Sequence, residues 1–272
     1  MNLCTSNQRG FQTEYLRVLI LGWLSTQPIA KDEPDAAFTM FGVLKLADKF
    51  MVEPLKELIL SHIRLDWPKS LKKWDQRQEK YRARFKRQNQ SQPCRWAPDP
   101  ASVIQVARRY DPTLLPLVFY QLSTLRREDV GDTREIFCDP PSAVARWTLL
   151  SQQDELCIER GRLAMMIWIM HEFDTFDFED WDCPGGHDCH LRMKARLVEV
   201  HRRIMRHADP LKMLEMLAKI DEEEGDFENN KDYWSGAMPD VICESCDSNW
   251  KSYIPPIRAD LFNSLDSFFP TG

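Results

Sequence analysis

The chain has 272 residues, 43% of them hydrophobic, with 9 tryptophans and 14 phenylalanines, which is too apolar for a disordered chain and enough to bury a core. A formal net charge of −6 argues against general affinity for nucleic acid, although local basic patches remain open. No stretch approaches the roughly 20 apolar residues that a membrane-crossing helix needs.

Met1 to Gly10 is polar. The most apolar run, Val18 to Leu24, has Glu14 and Arg17 at its edge and no small-x-small cleavage site before Pro28. It reads as a buried helix, Thr13 to Ser25, rather than a signal peptide. The expected location is therefore intracellular, cytoplasmic or nuclear. The 8 cysteines are then thiols or metal ligands rather than disulfides.

After a loop from Ile29 to Asp35, the stretch Ala36 to Pro68 predicts two helices with a tight break. Phe41, Leu44 and Ala47 recur at helical spacing, with Val43 and Leu46 widening the stripe. The break falls near Met51–Val52, because Pro54 suits the first turn of a new helix and disfavours continuing the old one. Leu55, Leu58, Ile59 and Ile63 form the second stripe.

A basic segment follows, with nine cations between Lys69 and Arg87 against Asp75 and Glu79. Leu71, Trp74, Tyr81 and Phe85 predict a thin apolar seam on one helix, with Gln78 filling the gap. Cations for phosphate and aromatics for stacking together suit nucleic acid. No nucleic-acid motif accompanies them, so a solvated surface helix is expected and nucleic-acid binding is not.

After a loop from Asn89 to Pro98, Val103-Ile-Gln-Val-Ala-Arg-Arg-Tyr aligns with Val43-Leu-Lys-Leu-Ala-Asp-Lys-Phe, an offset of 103 − 43 = 60. Leu115, Val118 and Phe119 take the places of Leu55, Leu58 and Ile59. Stacked helix pairs bury one another's apolar faces, so Phe38–Leu65 and Ala101–Leu125 are expected to pack side by side.

Beyond a loop from Glu128 to Ser142, Leu149 to His171 reads as a strong helix. Ser151 is placed as its N-cap and Asp154 at the third helical position. Leu156, Leu163, Met166, Ile167 and Met170 form the expected buried stripe. Cys189 to His207 reads as an arginine-rich helix. Asp209-Pro210 supplies an N-cap and a proline at the first helical position, opening Leu211 to Ile220. Asp221 to Asp232 reads as an acidic loop. Pro255-Pro256 is expected to open a final helix that ends before Pro270.

One constellation carries chemistry. Cys183-Pro-Gly-Gly-His-Asp-Cys189 brings two thiols together across a turn that Gly185 and Gly186 make easy. Cys243-Glu-Ser-Cys246 is a C-x-x-C, the commonest half-site of zinc modules. Cys183, Cys189, Cys243 and Cys246 together supply four sulfurs, enough for a closed tetrahedral structural zinc centre. His187 or His190 is an alternative ligand in place of one cysteine. A redox C-x-x-C of thioredoxin type wants a strand before it, which the helical spacing does not provide. The centre would tie the polar Phe173–His190 region to the C-terminal helix.

Enzyme signatures are absent from the sequence. The 10 glycines form neither a phosphate loop nor a nucleophile elbow, and His171-Glu172 lacks the second histidine of a zincin. The chain is expected not to be an enzyme. The alternative is a metal-dependent enzyme using the cysteine–histidine cluster. Ligand count separates the two, because a structural site is closed by four protein ligands and a catalytic site keeps a water position.

Several of these pieces also resemble one family. Val43-Leu-Lys-Leu-Ala-Asp-Lys-Phe-Met-Val-Glu-Pro-Leu-Lys is similar to the last helix pair of BTB/POZ domains. Asp66-Trp-Pro with Leu71-Lys-Lys-Trp74-Asp75 is similar to its continuation in fungal BTB/POZ-domain-containing proteins. Asp99-Pro-Ala-Ser-Val-Ile, Leu149-Leu-Ser-Gln-Gln-Asp, the paired cysteines and Arg258 with Leu261-Phe262 follow in the same order. The likeness runs from about Ala36 to Phe269. It implies protein–protein adaptor work, in that family sometimes for cullin-type ubiquitin ligases. The strand-rich half that precedes the helix pair in the family has no counterpart here, so dimerisation through it is not expected.

The expected architecture is all-α: stacked helix hairpins and a C-terminal helical region tied by zinc. Its parts are residues 1–68, the helical end of a BTB-like domain; 69–97, the basic helix and linker; 98–148, a second hairpin like the extension that follows many BTB domains; and 149–270, the C-terminal region.

Overall fold

The computed structural model describes residues 36–87, 98–125, 145–175, 183, 189–195, 197–198, 209–218 and 243–270. The helix expected over Thr13–Ser25, the Gly185–Gly186 turn and the acidic loop lie outside them. Among the described residues all regular structure is helical and no strand occurs. None of the helices there is long and apolar enough to cross a membrane. The chain divides into two compact units, and the division falls inside one helix, between Val118 and Phe119.

In the first unit, α1 (Ala36–Lys49) and α2 (Glu53–Asp66) form the expected hairpin. Met51 takes a positive φ of 53°, and the Val52 N–H bonds back to the Ala47 carbonyl at 2.8 Å. Pro54 lies in the first turn of α2, where a missing N–H costs no helical bond. The buried line of α1 is Ala37, Met40, Leu44 and Ala47, so Phe41 and Val43 are only half-buried and Leu46 is exposed. On α2, Leu60 is buried where Leu58 was expected, and Leu58 is exposed. Both helices carry more apolar residues than one face holds, which blurs the phase of the stripe by one position.

Helix α4 (Pro100–Tyr110) is buried on nearly every side. Asp99 caps it, its Oδ1 accepting the Ala101 N–H at 3.1 Å and the Arg146 N–H at 3.2 Å. Helix α1 packs against both α2 and α4, so the leading helices of the two hairpins are neighbours. Arg109 pairs with Asp48 at 2.7 Å, and Arg64 with Asp111 at 2.6 Å, joining one hairpin to the other.

The basic helix, α3 (Leu71–Arg87), precedes α4 in the chain. Lys69, just before it, and Lys72, Lys73 and Lys80 on it are exposed, and Trp74 is buried. The gap in its seam is closed by Arg77, not Gln78. The Arg77 guanidinium carbon lies 4.9, 4.7 and 4.9 Å from the ring centroids of Trp67, Trp74 and Tyr81. Tyr81 donates to Asp66 Oδ1 at 3.1 Å beside it. Burial lowers the Arg77 pKa from the usual arginine value. Cation–π attraction to three rings offsets part of that burial cost.

Helix α5 (Leu115–Ser123) enters the second unit at Phe119, and there it buries Phe119, Tyr120 and Leu122. Helix α6 (Gln152–Asp174) begins just after Ser151, with Asp154 at its third position, and Trp147–Leu149 ahead of it is a 3-10 turn. Its buried line is Ile158, Gly161, Met165, Ile169 and Phe173. The expected stripe of Leu156, Leu163, Ile167 and Met170 is exposed instead, and Met166 is only half-buried. This helix is apolar on two opposite faces, so spacing alone does not select the one that packs.

Helix α7 (Pro210–Ala218) opens as expected: Pro210 is its first residue and Asp209 Oδ1 accepts the Lys212 N–H at 3.0 Å. Buried Tyr120 also donates to Asp209 Oδ1 at 2.5 Å and accepts the Leu211 N–H at 3.1 Å. Helix α8 (Glu244–Asn263) packs along α7, and α9 (Leu265–Phe268) ends before Pro270. Helix α8 runs through Pro255 and Pro256 rather than starting there. Its buried residues Cys246, Trp250, Ile254, Ile257 and Leu261 form one stripe across the prolines, whose rings stay exposed. That continuous packing holds the helix where two backbone donors are missing.

Candidate metal centre

The extended start of α8 places the C-x-x-C. Cys243 sits at the N-cap with φ −69° and ψ 155°, and Cys246 is the third helical residue. The first N–H groups of a helix have no intrahelical partner, and Cys243 stands at that end. The Cys246 amide beside it draws the Cys243 thiol down to about 7. Burial pushes the Cys246 thiol up.

The other half-site comes from Cys183 and from Cys189, where residues 189–195 are helical. The Cys243 amide favours a Cys189 thiolate, but burial and the neighbouring thiols outweigh it and the net shift is upward. The chain thus holds four thiols in a space where few can ionise together without a cation.

The structure brings all four expected sulfurs together. The Sγ atoms of Cys183, Cys189, Cys243 and Cys246 lie within 4.8 Å of one another. Cys183 and Cys243 are 3.6 Å apart. Zinc–sulfur bonds of about 2.3 Å place tetrahedral sulfurs about 3.7 Å apart, so the spacing suits one ion. Soft thiolates in a tetrahedral set favour zinc or iron over magnesium or calcium. Cys189 and Cys246 are buried, while Cys183 and Cys243 are half-buried.

Of the two histidines, only His190 is among the described residues. His190 Nε2 is buried without a hydrogen-bond partner, yet it stands outside the four-sulfur cluster. His187 lies outside the described residues. Cys157, on α6, is half-buried and is not part of the cluster.

Beneath the sulfurs is a support that the sequence did not announce. Trp250, one turn beyond Cys246, stacks on Phe173 with ring centroids 6.1 Å apart and planes 16° from parallel. Tyr253 meets Phe173 edge-on at 6.5 Å and donates to the Glu172 carbonyl at 3.0 Å. The end of α6 is thereby locked to α8. Arg258 Nε donates to the Leu211 carbonyl at 2.8 Å, which fixes α7 to the same helix. The only earlier signal was the aromatic character of these positions.

No protein-family model, curated protein or solved structure matches the chain.

Proposed function

We propose that this chain is a non-catalytic protein–protein interaction protein whose second unit is held by a structural zinc ion on Cys183, Cys189, Cys243 and Cys246. The observation that carries the metal is the convergence of four sulfurs within 4.8 Å from two half-sites 60 positions apart, Cys183 and Cys243. Four protein ligands close a tetrahedral site and leave no position for water or substrate. Zinc binding free energy then becomes folding free energy for the residues it joins.

The interaction role rests on the likeness of the Val43–Lys56 helix pair and the later motifs to fungal BTB/POZ proteins. In this reading the helices present a surface to a protein partner, in the manner of an adaptor, inside the cell where thiols stay reduced. No membrane or nucleic-acid partner is invoked.

Cobalt substitution tests the site. Four thiolates on tetrahedral Co2+ give a strong sulfur-to-metal charge-transfer band that is unchanged by added anions. Three thiolates and an exchangeable fourth ligand would instead support a metal-dependent enzyme. Affinity purification of the tagged chain from its own cells, with mass spectrometry, tests the interaction role. Reproducible recovery of one protein partner is expected, and purification of the chain alone would contradict it.

A further inference from the structure

The four sulfurs are not equivalent. Cys189 is 6% exposed and Cys246 is fully buried, whereas Cys183 and Cys243 both reach the surface in part. The two less buried cysteines belong to different half-sites, and their sulfurs lie 3.6 Å apart. A disulfide bond is about 2.05 Å long, so these atoms need only a small approach to join. Cys189 and Cys246 are buried, so neither is the first residue of the cluster that an oxidant in solvent meets.

We infer that Cys183 and Cys243 form an oxidative modification site for hydrogen peroxide, in which the first disulfide links the two half-sites rather than the C-x-x-C. Release of zinc in the same step rests on the reading of the cluster as a zinc centre. The Cys243 sulfur attacks one oxygen of the peroxide. The O–O bond breaks, a sulfenic acid forms, and the departing hydroxide takes a proton to become water. The Cys183 thiolate then attacks the Cys243 sulfur, the S–S bond forms, and the second hydroxide leaves as water after protonation. The sulfurs lose two electrons and the peroxide gains two. Only Cys189 and Cys246 would then remain to hold a zinc ion, and two thiolates would not retain it against solvent.

The physical consequence is unusual for a zinc centre. The disulfide spans the same two segments as the metal, so oxidation replaces one tie with another. The start of α8 stays fastened to the Cys183 segment after the ion has left. A thiol reductant restores the site without refolding.

The test uses the full chain. Zinc content is measured by plasma mass spectrometry, stoichiometric hydrogen peroxide is added, and released zinc is followed with a chromophoric chelator. Disulfides are mapped at intervals by alkylation and peptide mass spectrometry. The expected result is a Cys183–Cys243 disulfide appearing first, in step with zinc release, with helical circular dichroism unchanged. A first disulfide between Cys243 and Cys246, or between Cys183 and Cys189, overturns the inference. So does conversion to sulfinic acid without any disulfide. If the starting protein carries no zinc, the structural zinc reading fails by itself, and the identity of the first disulfide still decides the modification site. Substituting Cys183→Ser removes the resolving thiol, so peroxide should then leave a trappable sulfenic acid at Cys243. Persistence of a disulfide from Cys243 in that variant would contradict the pairing.

Discussion

The ring of Phe269 fills the space that a Cβ on Gly161 would take. A side chain added there meets Phe269 Cε1, Cδ1 and Cζ at distances no real contact tolerates. Phe269 is also stacked on Phe119 at 6.1 Å and is fully buried, so it has little room to retreat. Gly161 is thus the notch in α6 that admits the C-terminal aromatic.

Gly161→Ala should destabilise the second unit by about 1–3 kcal/mol through overpacking, despite alanine's better helix propensity. Phe269→Ala should cost about 3–5 kcal/mol. The two changes share one space, so the penalty of Gly161→Ala should largely vanish in a Phe269→Ala background. Urea unfolding of the four proteins measures this, and simple additivity would contradict the contact.

Arg77 gives the second prediction. Its guanidinium lies near three aromatic rings, a planar arrangement that an ammonium does not reproduce. Arg77→Lys should lower stability by about 1–2 kcal/mol, while Lys72→Ala and Lys73→Ala should change it by less than about 0.5 kcal/mol. Thermal unfolding reads the difference. Equal effects at all three positions would place Arg77 among the ordinary surface cations.

Helix α8 gives the third. Pro255 and Pro256 are exposed and lie inside the helix. Each lacks the N–H that an interior residue donates, so alanine at either position should raise stability by about 1–3 kcal/mol. Chemical denaturation tests this. A loss of stability would mean that the prolines set a bend on which the packing of Trp250 and Leu261 depends.

Acid sensitivity is tied to Asp111. Burial alone would raise its pKa, but the Thr113 hydroxyl and the Arg64 guanidinium outweigh burial and hold it below the ordinary carboxylate value. A carboxylate with a depressed folded pKa adds stability above its unfolded pKa of about 4 and loses it as pH falls through the lower folded value. Asp111→Asn should therefore remove part of the stability lost between about pH 5 and pH 2. Denaturation midpoints across that range provide the check. Identical acid profiles for the two proteins would show that the pair is not formed.

What was legible in the sequence was mainly local. The Met51 break, the Asp209-Pro210 helix start and the two cysteine half-sites each follow from a few adjacent residues with fixed chemistry. The meeting of the half-sites was also foreseen, because four soft ligands in two pairs have a common purpose. The phase of α6 was not. Leu156, Leu163, Ile167 and Met170 are as apolar as Ile158, Met165, Ile169 and Phe173, and the decision rests on tertiary partners such as Phe269 and Trp250. Arg77 was missed because arginine in a basic run reads as surface, and its three rings include Trp67, which precedes the helix. The start of α8 was misplaced because two prolines look like a helix beginning when the stripe on both sides of them is not counted.

Zinc stoichiometry tests the central claim most directly. The protein should be purified without chelator and its metal measured per chain alongside its reactive thiols. One zinc per chain is expected, lost on acidification together with the appearance of four newly reactive thiols, and much reduced in Cys246→Ser. Thiolates must shed protons to hold the ion, so acid should release it. Metal-free protein whose four clustered cysteines do not take up zinc when it is supplied would contradict the account.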